Sequence, residues 1–175
     1  MRRNLYCILP VKHRSACIVL LAFFWAAGAL AGTFFCAQAD ASILSLMRRV
    51  IYDPVSIVSL LLVHTFPLFI AALAVFSSRW QLLYPLCFFK AFSFSYCACG
   101  LSWAFSSGGW LIRVIALFSD LCVIPVFLWF CFSHADGNVL DLRRHFLLCF
   151  FWSIVVSCTD AWAVYPFLRD ILEII

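Results

Sequence analysis

Apolar residues run along this chain in five long stretches, at about 16–38, 55–78, 81–106, 111–132 and 146–167, with short polar breaks between them. Each comes close to the roughly 20 residues that a helix needs to cross about 30 Å of hydrocarbon. A backbone in lipid must satisfy its own hydrogen bonds, so these spans are expected as helices rather than isolated strands. The pattern therefore predicts an all-α integral membrane bundle of about five transmembrane helices, forming a single polytopic domain over residues 1–175. Short joins make successive helices antiparallel neighbours.

The breaks carry further signals. "SILSLMRRVIYDP" spaces Ile43, Leu46, Val50 and Ile51 at helical intervals around Arg48 and Arg49, which predicts a short interfacial helix before Pro54. "SHADGNVLDLRRH" is polar; Asp136-Gly137 predicts a turn and Asp141 the approximate start of the last helix. Ahead of the first span stand Arg2, Arg3, Lys12 and Arg14, and "CAQAD" offers Ala37 and Ala39 in the small-x-small arrangement of a cleavage site. The uncharged run from Ser15 to Ala39 is long for the 7–15-residue apolar core of a signal peptide, so a retained helix is expected. Arg79, Arg143 and Arg144 fall on the same side as the basic leader, while Arg48, Arg49, Arg113 and Arg169 fall opposite. That bias favours an amino terminus in the cytoplasm and a carboxyl terminus outside.

Composition strengthens the membrane reading. Hydrophobic residues make up 66% and charged residues 11% of the 175 positions, with a mean hydropathy of +1.07; soluble domains run at about 45–50% and about 25%. The lipid bilayer is thus the first partner. A formal charge of +4 is scattered thinly, without the basic patch or stripe that nucleic acid requires. Most of the ten cysteines lie in or at the ends of the spans, where a thiol serves as a small apolar group. No spacing suggests a metal site or cofactor, and no nucleophile–base set suggests an enzyme.

Against this background three ionisable residues stand out. Lys90 lies ten residues into the third span, about 15 Å deep at 1.5 Å per residue; Asp120 and His64 lie nine residues into the fourth and second, about 14 Å from the opposite face. Their common depth predicts a polar intramembrane cluster of His64, Lys90 and Asp120, with Lys90 paired to Asp120. Structural pairing, snorkelling of Lys90 toward headgroups and a substrate or ion path are the three readings of that cluster. Asp160 and Arg113, nearer the outer face, could extend it. Two small-residue patterns predict helix packing: Gly28 and Gly32 in the first span, and Ala91, Ser95 and Cys99 at four-residue intervals beside Lys90. They suit internal contacts, self-association or another membrane protein.

The layout, and "PLCFFKAFSFSYCACGLSWAF" in particular, resembles the stage II sporulation protein M family of bacterial membrane proteins. Lys90 takes that family's basic position and Ala91 and Ser95 its small positions, with His64 and Pro67 in the preceding helix; the resemblance covers about residues 16–167. It implies a non-enzymatic component of the bacterial cell membrane, similar to a scaffold that localises cell-wall-degrading partners at the septal membrane during engulfment. A small transporter, or a transporter subunit working through the polar cluster, is the alternative expectation.

Overall fold

The structure, a computed structural model, describes residues 11–39, 45, 56–104, 109–135, 139 and 141–174. Among these, every regular element is helical: α1 (Val11–Ala37), α2 (Ile57–Phe76), α3 (Leu83–Ala104) entered through a 3-10 turn at Trp80–Leu82, α4 (Gly109–Ala116), α5 (Phe118–Ser133), α6 (Leu142–Thr159), a π-turn at Asp160–Val164 and α7 (Tyr165–Ile174). Four helical segments, Arg14–Ala37, Ile57–Phe76, Trp80–Trp103 and Leu142–Ile171, are long and apolar enough to cross a membrane, and Phe118–Ser133 is a shorter apolar helix. These are the features of a multi-pass membrane protein. The interfacial helix expected at 43–51 lies outside the described residues, Ser45 apart, as does the turn at Asp136-Gly137.

The surface is apolar where a soluble protein would be polar. Phe23, Leu30, Phe34, Val63, Phe66, Phe89, Phe151 and Trp162 all face outward with more than half their area open, an arrangement suited to a hydrocarbon solvent. Several hydroxyls within the spans are satisfied inside their own helices. Thr65 donates to the Leu61 carbonyl at 2.6 Å, Ser153 to Cys149 at 2.9 Å, Ser157 to Ser153 at 2.8 Å and Thr159 to Val155 at 2.9 Å. None of these groups demands water.

The tightest helix pair is α1 with α3. Gly28 rests on the Phe88 carbonyl, and a Cβ there would also lie 2.9 Å from the Phe88 carbonyl carbon; a Cβ on Gly32 would lie 3.0 Å from the Tyr96 nitrogen and 3.1 Å from the Phe92 carbonyl carbon. Only a residue without a side chain permits that approach. One turn earlier Phe24 stacks on Tyr84 with centroids 5.6 Å apart. Residues 24, 28 and 32 therefore meet 84, 88 and 92 at a constant offset of 60 residues, so the two helices run parallel. Phe88, Phe92 and Tyr96 stack along α3 at 6.4 and 6.0 Å beside the glycine notch.

Around this pair, α2 packs on α6 and α6 on α5. One core joins Cys17 and Leu21 of α1, Leu68 and Val75 of α2, Leu83 and Cys87 of α3, Phe127 and Phe130 of α5 and Cys149 of α6. The Trp152 indole donates to the Cys122 carbonyl at 3.0 Å and ties α6 to α5. Helix α2 stops at Ser78, whose φ of 58° is left-handed; the Arg79 N–H reaches the Ala74 carbonyl at 2.8 Å and the Ser78 N–H the Val75 carbonyl at 3.1 Å. That is a Schellman cap with serine where glycine usually stands.

Two segments differ from the spans expected of the sequence. The fourth, read as continuous over 111–132, jogs at Leu117 (φ −100°, ψ 8°) into α4 and α5. Leu117 closes one ladder and opens the next: its N–H reaches the Arg113 carbonyl at 3.1 Å and its carbonyl accepts the Leu121 N–H at 2.9 Å, so the α-helical ladder is interrupted at this residue. The fifth, read as 146–167, begins at Leu142 after a left-handed Asp141 and widens into the π-turn before continuing to Ile174.

Candidate functional site

Both irregular segments carry polar residues toward the same place. Asp120, in the first turn of α5 just after the jog, accepts a hydrogen bond from the Lys90 ammonium of α3, Nζ to Oδ1 2.8 Å. The side chains of Lys90 and Asp120 are 8% and 23% exposed. A charge-assisted bond of this length offsets part of the cost of holding the ions out of water. His64 of α2 is only 4% exposed, with Lys90 and Asp120 as its charged neighbours. Neither of its ring nitrogens has a hydrogen-bond partner among the described residues. A neutral imidazole has one donor and one acceptor, and leaving each unmet in a buried site costs about 1–3 kcal/mol.

The site continues beyond these three. Asp160, buried in the π-turn, has the Ser119 hydroxyl and the Asp120 carboxylate as its polar neighbours. Tyr165 lies near both carboxylates, and Cys97 near Asp120 and Lys90. Among the described residues, no basic side chain pairs with Asp160. Arg113 sits half-buried in the last turn of α4. The five-residue spacing of Asp160 and Tyr165 would set them well apart around a regular helix. The extra residue in the π-turn moves Tyr165 to where a fourth-position neighbour would stand, above Asp160.

Two prolines shape the same neighbourhood. Pro67 lies inside α2 and Pro125 inside α5. Each lacks the N–H that would bond four residues back, which removes that partner from the carbonyls of Val63 and Leu121, the immediate neighbours of His64 and Asp120. An open apolar groove of about 420 Å³, lined by Val114, Ile115, Phe118, Ala163, Val164 and Phe167, runs between the jog and the π-turn.

The small-residue positions are partly spent inside the bundle. Gly28 and Gly32 lie against the α3 backbone and Ala91 is fully buried, whereas Ser95 and Cys99 keep partial exposure. Sequence reasoning did not find Ser119, Tyr165 or a histidine pair at the other end of α5: His134, fully buried, lies with Nε2 3.2 Å from Nδ1 of His145. Trp129 packs on His145 with centroids 4.7 Å apart and Phe130 on His134 at 4.9 Å. Among the described residues no three His, Cys, Asp or Glu side chains are placed to hold a metal ion. Compared with protein-family models, with curated proteins and with solved structures, the chain has no match, so the geometry of its own residues carries the functional reading.

Proposed function

We propose that this is a non-catalytic multi-pass protein of a bacterial cell membrane, with its amino terminus inside, that works through the polar cluster as a small transporter or transporter subunit passing protons, alone or with a small polar solute. One observation carries the reading: His64 is buried beside the Lys90–Asp120 pair with both ring nitrogens unpartnered. A buried polar group left unsatisfied is costly, and ionisable residues at membrane depth commonly mark pathways. Helix discontinuities next to such groups are a recurring feature of transporter sites, and here the jog at Leu117 and the π-turn flank the cluster.

The test is flux through the purified chain in liposomes loaded with a pH-sensitive dye, under a potassium-driven membrane potential. Wild type should dissipate the proton gradient, and His64→Leu or Asp120→Asn should reduce the rate about tenfold or more while eluting as folded protein. A wild-type rate equal to that of empty liposomes sinks the transport reading. The orientation has its own check: reporters fused at Ser45, Arg79, Gly108, Asp136 and Ile175 should read outside, inside, outside, inside and outside. An outside signal at Arg79 reverses it.

A scaffold for other membrane proteins, as the sporulation-family resemblance implies, is the second reading. Its support is the partial exposure of Ser95, which leaves part of the small face beside Lys90 open to a partner helix. A partner that copurifies in mild detergent and is lost on Ser95→Leu, with His64→Leu harmless, supports it.

A further inference from the structure

The parallel register of α1 and α3 has one more turn to run. Beyond Gly32 the next residue of α1 on the contact face is Cys36, and the same offset sets it opposite the stretch from Tyr96 to Gly100, which contains Cys97 and Cys99. Cys99 and then Cys97 are the nearest titratable neighbours of the Cys36 thiol across this contact. All three are free thiols. A disulfide needs Cα atoms about 4.4–6.8 Å apart and Cβ atoms about 3.5–4.5 Å apart, a separation that ordinary helix packing exceeds and a glycine-notched crossing reaches. From this geometry we infer that Cys36 and Cys99 form a thiol–disulfide exchange site, in which a Cys36–Cys99 bond locks α1 to α3 with Cys97 beside it.

Access sets the order of events. Cys36 is 2% exposed, whereas Cys97 and Cys99 are half-buried. The Cys99 thiolate attacks one sulfur of an incoming disulfide, small-molecule or protein, and releases the first thiol of that reagent. Cys36, giving up its proton, then attacks the Cys99 sulfur and releases the second. One disulfide is reduced to two thiols, the two electrons and two protons come from Cys36 and Cys99, and the new S–S bond balances the one broken. Another group of neighbouring thiols, Cys87, Cys131 and Cys149, is sealed in the core at 0%, 0% and 1% exposure and offers no such entry. The proposed orientation sets the Cys36 end of α1 at the outer face, the side on which disulfides persist. Cys97 lies two turns along α3 from Lys90, with Lys90 and Asp120 as its charged neighbours.

The experiment uses the full chain in detergent, treated with oxidised glutathione, denatured, alkylated and mapped by mass spectrometry. Oxidation should remove two of the ten alkylatable cysteines and yield one peptide pair joined through Cys36 and Cys99. The pair should persist in Cys97→Ser and vanish in Cys36→Ser and Cys99→Ser. Since the wild-type map needs no variant to fold, it decides by itself: Cys36 recovered fully alkylated after oxidation, or joined to a cysteine outside this trio, overturns the inference.

Discussion

Gly28→Ala should destabilise the protein by about 1–3 kcal/mol, the usual cost of overpacking. The sign is the informative part, because in a free helix the same change is favourable by about 1 kcal/mol through helix propensity. The new methyl would meet the Phe88 carbonyl, lying 2.9 Å from its carbon and 3.0 Å from the Phe88 Cα. These are backbone atoms, so no rotamer change relieves the clash and the helices must part. Gly32→Ala meets Phe92 and Tyr96 in the same way. Once one substitution has separated the helices the second has less to lose, so the double variant should fall short of the sum. Thermal inactivation followed by size-exclusion chromatography reads the order; a gain in stability from Gly28→Ala would dispose of the close parallel pair.

Lys90→Leu alone should cost about 3 kcal/mol, the lower end of the range for stranding one partner of a buried ion pair. The low end is appropriate because the Asp120 side chain keeps 23% exposure and can draw some compensation from its surroundings. Lys90→Leu combined with Asp120→Leu removes both charges and should be less damaging than the single losses added together, with a coupling of about 0.5–3 kcal/mol. Denaturation by a graded increase in SDS gives the four corners of that cycle. Additive losses would mean that the 2.8 Å contact contributes nothing to holding α3 against α5.

Four of the five spans were legible because hydrocarbon leaves so little choice: twenty apolar residues with no internal turn have to be helix. The pairing of Lys90 with Asp120 was also legible, since the rise per residue converts counting into distance. The neighbours in space were harder. A pair of glycines four apart declares that some helix comes close, yet nothing in "AAGALAGT" says that the helix is α3, or that it runs parallel. The jog at Leu117 has no glycine or proline at its centre, whereas Pro67 and Pro125 lie within uninterrupted helices. The π-turn is equally silent in "CTDAWAVY". That silence concealed Tyr165, whose place over Asp160 depends on the one extra residue, and Ser119, whose role depends on where the jog aims α5. His134 and His145 stand on either side of a polar connector, and only the return of α6 against α5 brings their rings together.

The sixty-residue offset between α1 and α3 also sets a schedule for biogenesis. Chains are made from the amino terminus at about 5–20 residues per second, so the surface that receives Gly28 does not exist until about 3–12 s after Gly28 itself has been made. Throughout that interval α1 must stay in the bilayer with its glycine notch open to lipid, while α2, which is synthesised next, passes without claiming it. A newly inserted first helix waiting for its third is the species most exposed to capture by a neighbouring chain, and slowing translation between residues 37 and 83 would lengthen the wait.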